Sequence, residues 1–125
     1  MGKLEKSVSS DVKNTLSALE LAGAVLWWER LNVGKVKTQF GSWIHLCREG
    51  TADFLAILPV TNGVMVYFIE CKSDTGIQKP KQSDFQKKVE SWGAIYEIVT
   101  DVKQVKTTVE NITGFFKQKI NEINY

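Results

Sequence analysis

Histidine occurs once in these 125 residues and cysteine twice. A lone His45 excludes a two-histidine metal site and the HExxH arrangement of metalloproteases. Its expected role is structural. Cys47 and Cys71 have neither redox nor zinc-ligand spacing, and a reducing cytosol suits them. No apolar run approaches the ~20 residues that cross a bilayer, so no membrane partner is expected. The first six residues lack the apolar segment of a secretory signal, and a cytoplasmic protein is expected. Glycine-rich dinucleotide and phosphate loops are missing, as is the nucleophile elbow of serine hydrolases, so no nucleotide cofactor is expected. A strong charge of either sign is missing too: the formal net charge is +2. Chains that bind polyanions usually carry a larger basic excess. Any nucleic-acid surface must therefore be local, or pooled by two copies.

What remains is an ordinary globular composition, 43% hydrophobic and 24% charged, expected to form one domain over residues 1–125. Val8, Val12, Leu16 and Leu19 recur at helical spacing and predict a helix from residue 4 or 10 to 22, with Ser9 or Ser10 as its cap and Gly23 as its end. Residues 24–31 read as a strand, 32–42 as a loop or irregular hairpin, and 42–47 as a short strand. The clearest strands are 53–58 and 64–72, joined by a turn at Asn62-Gly63. Pro80 opens a helix running to about Trp92, with Phe85, Val89 and Trp92 as its apolar stripe. A strand over 94–100 and a last helix from Val102 follow. That helix carries Val105, Val109, Ile112, Phe116 and Ile120, with Gly114 inside it. The order predicts an α/β fold, a mixed sheet flanked by helices.

The chemistry collects at the ends of the two clearest strands. Asp53 opens the first, and Glu70-Cys71-Lys72 closes the second. Side chains alternate along a strand, so Glu70 and Lys72 share a face and Cys71 points the other way. A turn centred between Thr61 and Asn62 puts Asp53 across from Glu70. A turn with Asn62 and Gly63 at its centre puts Asp53 across from Lys72, with Glu70 diagonal. Both registers gather the three charges on one face. Two neighbouring carboxylates repel, and a cation relieves them. Mg²⁺ takes oxygen ligands and usually uses one or two carboxylates. Asp53, Glu70 and the Cys71 backbone carbonyl are candidate ligands, and Lys72 can orient the attacking water and offset charge at phosphorus. A surface salt bridge from Lys72 to Asp53 or Glu70 is the plainer alternative.

Gly50-Thr51-Ala52-Asp53, then Ile69-Glu70-Cys71-Lys72, then Gly76, Pro80, Gln82 and Gly93 together resemble the VRR-NUC family of the PD-(D/E)XK nuclease superfamily. The similarity runs over residues 10–100. It implies a restriction-endonuclease-like core and phosphodiester hydrolysis with Mg²⁺ or Mn²⁺. Asp53 and Glu70 would be metal ligands, Lys72 the catalytic lysine, and Gln82 the glutamine of the following helix. Gln82 also falls on the Phe85–Val89 stripe, so it should face the sheet, where it needs partners. Alternatively, it is a helix N-terminal glutamine bonded to backbone. The family also places an acid on the first helix. Asp11 is the nearest match in spacing and would act through water; Glu5 and Glu20 are alternatives. Ala52 stands where the superfamily motif has proline.

Lys35, Lys37, Arg48, Lys79 and Lys81 flank this site in sequence and can meet phosphates. Trp27, Trp28, Trp43 and Trp92 can stack on bases, although strand and helix tryptophans more often lie in cores or interfaces. The expected activity is a metal-dependent DNA endonuclease selective for branched, flap or junction DNA. The resemblance extends to phage-borne stand-alone members and to dimeric Holliday-junction resolvases, which implies a homodimer. The alternative is a noncatalytic nucleic-acid-binding or assembly module on the same fold.

Overall fold

The computed structural model describes residues 4–31, 34–45 and 47–115. The first helix, α1 (Glu5–Ala22), buries Val8, Val12, Leu16 and Leu19 along one stripe. It starts earlier than a serine cap would place it: Leu4 is the flanking residue, and no side chain caps the end. Gly23 ends it in the left-handed conformation at φ +87°. The amides of Ala24 and Val25 still bond back to the Leu19 carbonyl, at 2.9 and 3.2 Å. Those two residues therefore finish the helix cap, and the strand expected from residue 24 is shorter, β1 (Trp27–Arg30).

A small ribbon follows, β2 (Lys35–Lys37) paired antiparallel with β3 (Trp43–His45). It stands apart from the main sheet. The long hairpin comes next, β4 (Phe54–Val60) and β5 (Gly63–Cys71). Helix α2 (Pro80–Ser91), strand β6 (Ile95–Val99) and helix α3 (Lys103–Thr113) complete the described chain. The main sheet runs β1-β4-β5-β6; its first two pairings are antiparallel, and β5–β6 is parallel through the α2 crossover. The architecture is mixed α/β, with a mixed sheet and three helices on its faces. Pro59 is tolerated in β4 because β1 pairing stops at Ile57, leaving that side of the strand open.

Strand alternation divides the two cores. Phe54, Ala56 and Leu58 of β4, with Tyr67, Ile69 and Cys71 of β5, pack against α1 and α3. Phe68 and Ile98 face the other way, toward Phe85 and Val89 of α2. Trp92 continues the α2 stripe in sequence, but the helix ends at Ser91 and Trp92, the residue flanking its end, is 66% exposed. Gly114 ends α3 in the left-handed conformation, φ +62°, and its amide closes on the Glu110 carbonyl at 2.8 Å. The longer final helix expected from the apolar spacing thus breaks there, and Phe116 and Ile120 lie outside the described residues. Among the described residues no helix is long and apolar enough to cross a membrane.

Candidate active site

The β4–β5 register decides between the two hairpins. Val60 pairs with Gly63 and Phe54 with Ile69, so Thr61 and Asn62 make the turn. The Asn-Gly pair marks the hairpin correctly but sits one residue late. Asp53 lies just before the ladder's last pair and Glu70 just after it, so the two acids stand next to each other at that end of the hairpin. Asp53 is pinned from three directions: its amide donates to the Ile69 carbonyl (3.0 Å), its carbonyl accepts from Leu31 (2.7 Å), and its Oδ2 accepts the Cys71 amide at 2.7 Å.

Glu70 lies on the α2 side of the sheet and is only 2% exposed. Gln82 donates Nε2 to Glu70 Oε1 at 2.5 Å. The same side chain accepts the Lys79 amide on its oxygen at 2.8 Å, reaching back over the first turn of α2. Gln82 therefore finds a partner on the sheet and bonds backbone at the same time, and capping fixes the amide that grips Glu70. Lys72 Nζ stands 3.7 Å from Glu70 Oε1, and Lys72 is 6% exposed. The ion pair of the plainer alternative is therefore present, between Lys72 and Glu70, but it is buried and not at the surface. Gly76 folds over the Lys72 stem: a Cβ there would come within 3.2 Å of Lys72 Cβ and Cδ.

Glu70 Oε2 is buried and has no hydrogen-bond partner. Burial, then the Asp53 charge, pushes the Glu70 carboxyl up to about 8. Burial also raises Asp53, with the Cys71 amide pulling the other way. The Cys71 thiol lies on the opposite face, in the α1–α3 core, and burial raises it strongly. Two oxygen-bearing acids, one with an unsatisfied buried oxygen, suit a hard divalent cation. Among the described residues no group of three or more His, Cys, Asp or Glu gathers as a metal cluster.

Two clefts lie nearby, one lined by Asp53 and the other by Gln82. Asp53 and Cys71 open into one of about 480 Å³, walled by Glu5, Lys6, Lys13 and Arg30. Glu5 is thus the helix acid that reaches this cleft, and its charge acts on both Asp53 and Glu70. Asp11 is half-buried further along α1 and does not line the cleft; Glu20 is exposed at the far end of the helix. The second cleft, about 600 Å³, is lined by Lys35, Lys79, Lys81 and Gln82, with Gly34 and Gly50 in its wall. Of the expected phosphate contacts, Lys35, Lys79 and Lys81 gather here. Lys81 also pairs with Glu49. Arg48 lines a neighbouring hollow with Trp92, and Lys37 lies exposed on the ribbon.

Sequence reasoning missed Lys6, Lys13 and Arg30. Lys6 and Lys13 are seven residues apart and so share a helix face, a signal that periodicity offers. Arg30 is set by pairing with Phe54, over whose ring it lies at 6.0 Å. Compared with known proteins, the chain matches no family model, no curated protein and no solved structure.

Proposed function

We propose that this chain is a Mg²⁺- or Mn²⁺-dependent DNA endonuclease with a restriction-endonuclease-like core of the VRR-NUC type. The observation that carries the reading is Glu70: a buried carboxylate next to Asp53, with one oxygen held by Gln82 and the other without a partner. Asp53 and Glu70 would hold the cation, with the Cys71 carbonyl as a further ligand. Such an ion lowers the pKa of bound water and neutralises charge developing on phosphate oxygens. Gln82 fixes the Glu70 carboxylate by its hydrogen bond. Lys72, its stem pressed by the Ser73–Gly76 turn, directs its ammonium to the attacking water and the phosphoryl oxygen. The water oxygen bonds to phosphorus, the phosphodiester bond to the leaving oxygen breaks, and the proton ends on that oxygen. Lys6, Lys13 and Arg30 on one side, and Lys35, Lys79 and Lys81 on the other, supply cations for the substrate backbone. With a net charge of +2, a homodimer would pool these patches across branched, flap or junction DNA.

The second reading is a noncatalytic nucleic-acid-binding or assembly module. It is favoured by the absence, among the described residues, of a group of three or more His, Cys, Asp or Glu placed to hold a metal ion. The two readings separate on cleavage. Labelled single strand, duplex, flap and four-way junction are incubated with Mg²⁺, Mn²⁺ or EDTA, wild type beside Lys72→Ala. The expected outcome is metal-dependent cutting that falls by two orders of magnitude or more in the variant, as expected for loss of a group acting on the transition state. Cutting undiminished in Lys72→Ala would remove Lys72 from the chemistry. Binding by folded wild type without cutting would favour the second reading.

A further inference from the structure

The β2–β3 ribbon has no place in the core. Phe40 is 85% exposed and Trp43 62%, and Val36 and Ile44 are also exposed. A tight turn holds the tip: the Thr38 amide donates to the Ser42 carbonyl at 2.7 Å, and Gly41 adopts φ +84°. Register gives the ribbon two unlike faces. Trp43 pairs with Lys37, so both project from one face, and Lys35 joins them two residues along. Val36 and Ile44 pair on the other face. From Leu31 to Arg48 the sequence carries Lys35, Lys37 and Arg48 and no carboxylate. The ribbon is thus a local basic region in a chain of nearly balanced charge. Its base enters the cleft of Lys79, Lys81 and Gln82, and Gln82 holds Glu70.

We propose that the ribbon binds an unpaired DNA strand and feeds it to the acid pair. Bases stack on Trp43 and Phe40, and phosphates meet Lys35 and Lys37 on the Trp43 face. Aromatics set among cations bind single strands in this way, because every base offers a π-face while the backbone is tracked by charge. The strand then passes through the cleft of about 600 Å³ toward Glu70. The inference deepens the nuclease reading and rests on it for what happens to the strand, while strand binding itself is measured apart from cleavage. It selects, among branched substrates, those with a single-stranded arm.

The test is binding of a labelled oligothymidylate of about 12 nucleotides, within the span of single-strand sites, in EDTA so that no cutting intervenes. Phe40→Ala and Trp43→Ala should each weaken binding about tenfold, whereas Trp43→Phe keeps most of it. Lys35→Ala with Lys37→Ala should flatten the salt dependence by about 0.7 for each phosphate that is no longer neutralised. Blunt duplex should respond less to the aromatic variants. Unchanged oligonucleotide affinity in both alanine variants overturns the proposal, as does failure of the wild type to bind the oligonucleotide. So does sedimentation showing that these variants turn a dimer into a monomer of unchanged affinity, which gives the ribbon to a second copy. Ribbon-dependent binding without metal-dependent cutting would sink the nuclease reading and the delivery of the strand to the acid pair, and keep the ribbon as a single-strand site.

Discussion

At Glu70 two costs meet: the carboxylate has left water, and Asp53 stands next to it at the end of the hairpin. Gln82 and Lys72 both engage Oε1, while Oε2 stays unpaired. An unsatisfied buried polar atom costs about 1–3 kcal/mol, and more when charged. Glu70→Gln keeps the shape and an oxygen for Gln82 to bond while removing the charge. Without metal at about pH 8, this variant should be more stable than wild type by about 1–3 kcal/mol, and it should lose metal-dependent cleavage. Thermal melting in EDTA measures the first effect. An unchanged or lower melting temperature would show that the carboxylate is already compensated. These residues were legible because strand period puts Glu70 and Lys72 on one face, either register of the hairpin brings Asp53 to that face, and helix period turns Gln82 toward them. Glu5 was only an alternative to Asp11, and Lys6 and Lys13 were not assigned, because their nearness to Asp53 depends on how the start of α1 docks beside the sheet, a tertiary fact.

Between elements, the decisive approach is that of the Gly50 loop to α2. Gly50 sits at φ +89°, and a Cβ there would lie 2.3 Å from the Lys81 carbonyl oxygen. That oxygen is helix backbone and cannot step aside as a flexible side chain would. The loop delivers Asp53 three residues later, while the helix presents Gln82 one residue beyond the point of approach. Gly50→Ala combines left-handed strain of about 1–2 kcal/mol with an overpacking cost of about 1–3 kcal/mol. It should lower stability by about 2 kcal/mol or more and reduce cleavage by spreading the site. Urea unfolding tests the stability effect; a decrease under about 0.5 kcal/mol, the level of an ordinary surface change, would mean that loop and helix separate without strain. At this scale the sequence was readable where punctuation was strong: Gly23, Pro80 and Gly93 bound helices as expected. It misled where caps and side-chain periodicity disagreed. The stripe Val105, Val109, Ile112 continues in phase past Gly114, yet the left-handed glycine stops the helix. Trp92 likewise keeps the α2 phase in sequence although the helix ends at Ser91.

Across the whole molecule, the acid pair ties folding to pH and, under the proposed function, to metal. In the folded chain Glu70 is raised to about 8 from an ordinary value of 4.5, and Asp53 is raised as well. Between those two pH values the folded state binds more protons than the unfolded state, so unfolding releases protons and stability falls as pH rises. The stabilising contribution is fully present below about pH 4.5 and lost as pH climbs through about 8. A divalent cation held by the pair, as the proposed function requires, would reverse this dependence. It competes with the proton for the same oxygens, so its affinity rises over the same interval, and binding to the folded state alone adds stability by mass action. Metal-free protein should therefore lose thermal stability from mildly acid to mildly alkaline pH, while saturating Mg²⁺ or Mn²⁺ restores it, with the larger gain on the alkaline side. Glu70→Gln should flatten both curves. A metal-induced shift of equal size at both ends of the range, or one that survives Glu70→Gln, would place the ion elsewhere.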